Sequence, residues 1–238
     1  MPDLVFRAAP GPLLAVAGLS GGAGASTLAY LIAATAAAHS PGPVLLADTG
    51  GPMAGVAERT GVSAPRTLAE LTERLAAGDP VSGCVWARGE HGLRVLAGAP
   101  QFTVHGDRDA ARRVLTDARE AHALSVVDVG TLTRPIEQAA LGVATHLAWV
   151  LPASESGVAR AARVLERVVP LAQPETLVAR AEPGVHRPPV RALAALADAR
   201  RARLVLIPAL GEHTPGNVGE LAERAQLALA AIGGVLRR

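Results

Sequence analysis

The sequence predicts an α/β protein, a single domain on a mostly parallel sheet with helices on both faces. Three observations carry that prediction. Short runs with no polar face recur along the chain and alternate with helical stretches, as in a parallel sheet covered on both sides. A glycine-rich loop lies where the first apolar run gives way to the first helix. Two further apolar runs end in aspartates, Asp48 and Asp128, and parallel sheets bind ligands at the C-terminal ends of their strands.

The elements follow in order. Residues 13–17 read as an all-apolar strand, and 26–39 as the helix behind the glycines. Residues 44–47 are a second strand ending at Asp48, with a helix at 66–77. A third strand is expected at 93–97 and a charged helix at 107–121. Residues 124–127 lead into Asp128, and 146–151 form another strand before a helix at 155–168. Strands at 176–179 and 204–207 precede a long terminal helix at 218–236. Proline and glycine fall between these runs as loop punctuation, so residues 1–238 read as one domain, with 1–11 a flexible N-terminal segment.

Composition narrows the chemistry. Half the residues are apolar and 18% are charged, which excludes a disordered chain. Aromatics make up 2%, too few for a base-stacking platform. The single cysteine, Cys84, excludes an internal disulfide and a cysteine-based metal site. All 23 basic residues counted as Lys or Arg are arginine, so the chain has no lysine for a P-loop, a Schiff base or a general base. The longest apolar run is far short of the ~18–20 residues of a membrane span, and a cytoplasmic protein is expected. The histidines are scattered without metal-binding spacing, and no serine sits in a nucleophile elbow.

The segment 14–29 is the most informative. A strand, a glycine loop and a helix N-terminus together make an anion site, because successive amides point inward and the helix dipole adds positive charge. Gly21, Gly22 and Gly24 would let backbone approach a phosphate, and Ser26 stands where a P-loop hydroxyl would hold Mg²⁺. A plain strand–helix turn would also use these glycines.

The run Ser20-Gly21-Gly22-Ala23-Gly24-Ala25-Ser26-Thr27 resembles the deviant Walker A motif of the MinD/ParA ATPases. Val44-Leu45-Leu46-Ala47-Asp48 is similar to that family's second strand with its switch aspartate, and Leu124-Ser125-Val126-Val127-Asp128 to its Walker B strand. The stretch beginning Leu151-Pro152-Ala153 is similar to its Thr-Pro-Glu loop and basic helix. Leu177-Val178-Ala179-Arg180 sits where the family has Val-Asn-Arg, and Leu206-Ile207-Pro208 matches its late Ile-Pro. The resemblance spans residues 12–210 and implies a P-loop fold. It also implies nucleotide contacts from Gly21, Gly22, Gly24, Ala25, Ser26, Thr27 and Arg180. Ser26, Asp48 and Asp128 would lie on the magnesium side, with the two aspartates as remnants of catalytic groups. The loop and residues 92–100 look most like the TadZ/CpaE and Ssd-type branch.

The departures bear on mechanism. The family's two motif lysines are Ser20 and Ala25 here, the second switch acid is Gly50, and the adenine-side asparagine is Ala179. Loss of a buried charge partner costs about 2–5 kcal/mol, and phosphoryl transfer depends on positioning and electrostatics. The expectation is therefore a pseudo-ATPase. It would act as a positioning or assembly scaffold for a pilus, secretion or division machine, as a homodimer bound to a protein partner and brought indirectly to the inner face of the membrane. ATP or ADP with Mg²⁺, or no nucleotide, are both open. The alternatives are an ATP/Mg²⁺-dependent dimerisation switch, with Arg134, Arg160 or Arg180 replacing the lysine, and a DNA-binding partition factor. The arginines at 187, 191, 200, 201 and 203 read as a solvated face and the terminal helix as docked on the sheet.

Overall fold

The computed structural model describes residues 10–49, 55–61, 67–78, 87–88, 90–98, 108–130, 132, 134–169, 171–184, 187–210 and 217–236. Most of the expected N-terminal flexible segment, and Gly50, lie outside these.

An eight-stranded sheet forms the centre, in the order β3-β4-β2-β5-β1-β6-β7-β8. Its strands are β1 (Leu13–Gly18), β2 (Val44–Asp48), β3 (Ala87–Arg88), β4 (Arg94–Leu96), β5 (Leu124–Gly130), β6 (His146–Pro152), β7 (Glu175–Arg180) and β8 (Arg203–Ile207). Every pairing is parallel except that of β3, which runs antiparallel at the edge. The expected fold class holds.

The all-apolar strands are explained by two cores, one on each face. In β1, Leu13, Ala15 and Ala17 join one core, while Leu14 and Val16 join the other. The first core is covered by α3 (Leu68–Ala76), α4 (Arg108–Glu120), α5 (Pro135–Val143), α6 (Glu155–Leu165) and α7 (Val190–Arg200). The second is covered by α1 (Ala25–His39), α2 (Val56–Thr60), α8 (Val218–Arg224) and α9 (Gln226–Leu236).

Local signals set several helix starts. The Thr67 hydroxyl accepts from the Glu70 amide, and the Glu70 carboxylate accepts from the Thr67 amide, a capping box for α3. Ser154 caps α6 by accepting from the Gly157 amide, which gives this serine a structural role.

Three expectations need correction. The terminal helix is two helices, broken at Ala225, although it docks on the sheet through buried Leu221, Ala228, Leu229 and Ile232. Helices α2, α5 and α7 were not anticipated. Arg200 is not on a solvated face. Its side chain is 6% exposed, pairs with Glu175 at 2.7 Å, donates to the Val168 carbonyl and stacks over Trp149. The Trp149 indole also donates to Glu175, at 2.8 Å.

The N-terminal ends of the central strands are pinned together. The Arg119 guanidinium donates to the Gly11 carbonyl, Ser125 N to the Pro12 carbonyl and Ala123 N to the Pro43 carbonyl. A Cβ on Gly11 would lie 2.3 Å from the His122 carbonyl oxygen, and one on Gly42 would lie 2.8 Å from the Ala123 Cβ, so both positions require glycine.

Candidate functional site

The other end of the sheet gathers the residues singled out in the sequence. β1 runs into the glycine loop, and α1 begins at Ala25 with Gly24 as its N-cap, at φ 94°. Glycine at the N-cap brings no capping side chain and no acid lies in the first turn, so among the described residues the first amides keep their donors and partial positive charge. Gly22 is also left-handed, at φ 71°. A Cβ built on Gly21 or Gly22 meets nothing within 4 Å, so the loop faces open space there.

Arg180 lies against the other side of the loop. From the end of β7 it donates through Nε to the Ala23 carbonyl at 3.0 Å and through an Nη to the Gly22 carbonyl at 3.1 Å. Those carbonyls are held toward Arg180, whose Cδ and Nε touch the space a Gly24 side chain would fill, 3.2 and 3.3 Å from its ideal Cβ. Arg180 is thus committed to loop backbone. Ser20 and Ala25 stand where the resemblance places the family's two lysines, and among the described residues the buried Ser20 Oγ has no hydrogen-bond partner.

Beside the loop, Asp48 and Asp128 are register partners on β2 and β5. Both are buried, at 3% and 4% exposure. Burial, and then the Asp48 charge, push the Asp128 carboxyl up to about 6, while the Ser26 hydroxyl, the Gly130 amide and the Arg59 charge pull it down. Asp48 accepts from the Val56 amide at 3.3 Å. The arrangement brings Ser26, Asp48 and Asp128 together. A magnesium ion commonly takes one or two carboxylates, with water and phosphate oxygens completing its shell, so this donor set fits one.

Arg134 and Arg160 do not enter the site as free cations. Arg134 forms an ion pair with Glu137 at 2.9 Å and reaches Thr49 Oγ1 at 3.4 Å. Arg160 is exposed on α6. The residue missed by sequence reasoning is Arg59. It lies on α2 and donates from Nε to Thr27 Oγ1 at 3.3 Å and from Nη1 to the Gly55 carbonyl at 3.0 Å. A five-residue helix has no periodicity to betray it; the only available signal was an arginine shortly after the Asp48 strand.

No protein-family profile and no curated protein matches this sequence. Solved structures do. A ParA family ATPase from Chlorobium tepidum is similar at TM-score 0.76 and 14% identity, covering 93% of this chain and 97% of that one. A chain of the MinC:MinD cell division protein complex of Aquifex aeolicus matches at TM-score 0.64 and 17% identity, covering 95% of each chain. The cobyrinic acid a,c-diamide synthase of Mycobacterium smegmatis, with bound ADP and magnesium, matches at TM-score 0.66 and 20% identity, covering 93% of this chain and 94% of that one. The chain therefore has the fold of the MinD/ParA P-loop ATPases. That fold also serves a biosynthetic enzyme, so function must be argued from the site.

Proposed function

We propose that the protein binds ATP or ADP with Mg²⁺ at the glycine loop, hydrolyses it poorly, and works as a positioning or assembly scaffold. The machine it serves would be a pilus, secretion or division apparatus, and the protein would act as a homodimer with a protein partner. The observation that carries the nucleotide reading is the buried Asp48–Asp128 pair beside Ser26 and an uncapped helix N-terminus. Two buried carboxylates at one spot favour a cation, and the helix end favours an anion.

In this reading Gly21, Gly22, Gly24, Ala25, Ser26 and Thr27 wrap the phosphates, and Arg180 holds the loop carbonyls turned away from them. Ser26, Asp48 and Asp128 hold the magnesium. Bound magnesium supplies charge neutralisation for the phosphate oxygens. Poor hydrolysis follows from the absence of lysine at positions 20 and 25, because phosphoryl transfer draws nearly all its acceleration from positioning and charge.

Resemblance to the TadZ/CpaE branch and likeness to a division complex support the scaffold half. Among the described residues no helix is long and apolar enough to cross a membrane. In this reading the protein partner brings the chain to the membrane. The burial of Arg200 in an ion pair weakens the arginine face on which DNA binding would depend.

The test is calorimetric titration of the purified chain with Mg-ATP and Mg-ADP, alongside phosphate release and light scattering. Micromolar binding, a dimer mass and near-background turnover are expected. Absence of binding to millimolar nucleotide, or fast turnover abolished by Asp48→Ala, would overturn the reading.

A further inference from the structure

We infer that Arg59 is the phosphate-binding cation of this site, supplied by α2 in place of the lysine that Ala25 cannot provide. The inference rests on the nucleotide reading above and adds a residue outside the glycine loop.

Arg59 is well placed for this. Thr27 belongs to the first turn of α1, where amides and dipole would hold the phosphates, and Arg59 Nε donates to its hydroxyl at 3.3 Å. That bond fixes one edge of the guanidinium, and the Gly55 carbonyl takes Nη1 at 3.0 Å. Neither contact uses Nη2. Val56, one helical turn before Arg59, donates its amide to Asp48, so Arg59 lies on the carboxylate side of the loop. A planar guanidinium anchored by Nε keeps a fork of donors suited to two phosphate oxygens.

Other arginines fit less well. Arg180 is bound to two loop carbonyls, and Arg134 is paired with Glu137. Arg160 points from an exposed helical position. No lysine exists elsewhere to compete.

The placement also ties the cation to the aspartates. The first residue of α2, Val56, donates its amide to Asp48, and Arg59 lies within the same five-residue helix. A phosphate drawn to Arg59 and a magnesium drawn to Asp48 would therefore both bear on α2.

The experiment titrates Mg-ATP into full-length wild type, Arg59→Ala, Arg59→Gln and Arg59→Lys, with circular dichroism and melting curves on each. Both neutral variants should weaken binding by about 30-fold or more, the usual loss for a desolvated charge contact. Arg59→Lys should stay within about tenfold of wild type, since charge is kept while the fork is lost. Affinity should fall with added salt for wild type, and much less so for Arg59→Gln. Wild-type affinity in folded Arg59→Ala or Arg59→Gln would overturn the assignment and leave the nucleotide reading standing. Should Arg59→Ala not fold, Arg59→Gln decides, because it retains a donor for Thr27. A wild type that binds no nucleotide would overturn both.

Discussion

Asp48 and Asp128 face each other across adjacent parallel strands, both buried, at the end of the sheet where the glycine loop begins. Two ionised carboxylates in that position oppose folding, and the fold keeps them beside Ser26 all the same.

Asp128→Asn should therefore stabilise the free protein. The Asp128 carboxyl is raised from 3.8 to about 6, so the stability it contributes is complete below the lower value and lost as pH rises through the upper one. At neutral pH the ionised form costs about 2–3 kcal/mol. Urea denaturation at pH near 7.5 should show a gain of that order, vanishing near pH 4 where the native carboxyl is already protonated. An equal difference at both pH values would exclude this origin.

Arg180→Ala should loosen the glycine loop without unfolding the domain. The Gly22 and Ala23 carbonyls would lose a charged donor, an interaction worth about 1.5–3 kcal/mol at most and screened by partial exposure. Faster amide exchange confined to the loop is expected, with about tenfold weaker nucleotide binding. Exchange unchanged there would show that the loop holds its shape unaided.

His122 should make the protein acid-sensitive. Burial lowers its pKa most, and the Arg94 charge adds to this, while the Ala118 carbonyl opposes both. Its Nδ1 lies against that carbonyl, and its Nε2 lies 3.3 Å from Arg94, so the neutral ring suits the site. The stability it contributes is complete above the ordinary histidine value of ~6.5 and is lost as pH falls through its lowered folded value. Asp128 acts in the opposite sense between 6 and 3.8, so the two must be separated with variants. Melting temperatures of His122→Gln should fall less than wild type between about pH 7 and 5. Parallel curves would remove His122 as the source.

The Trp149–Glu175–Arg200 group should behave as a buried ion pair. Arg200→Ala leaves Glu175 buried without its cation and should cost about 3–5 kcal/mol. Combining Glu175→Gln with Arg200→Met should recover most of that loss, because neither charge then remains. A strictly additive double variant in urea denaturation would contradict the pairing.

Much of the frame was legible in the sequence. Strands buried on both faces are built mostly from apolar residues, so β1, β2, β5 and β6 read as apolar runs, and the buried polar exceptions at their ends, Asp48 and Asp128, stood out. Positive-φ glycines marked the loop because few other residues tolerate Gly22 and Gly24 geometry. Short elements were lost: α2 and β3 have too few residues to repeat a pattern. α5 carried an overlooked signal, Pro135 at its start with Glu137 reaching back to the Arg134 amide. The pairing of Arg200, on α7, is invisible in local sequence because its counter-charge, Glu175, lies on strand β7.

The tight seam at Gly11, Gly42 and Ala123 makes the two ends of the sheet unequal in what they tolerate. Both ends are tied across strands by backbone bonds, Ala123 N to the Pro43 carbonyl at one and Thr49 N to the Asp128 carbonyl at the other. Only at the seam would an added side chain have to wedge strand ends apart, whereas one added at Gly21 meets open space. Sequence is therefore free to drift at the ligand-facing end and frozen at the opposite one, and melting curves of Gly42→Ala beside Gly21→Ala would read that contrast directly, with the larger loss at Gly42.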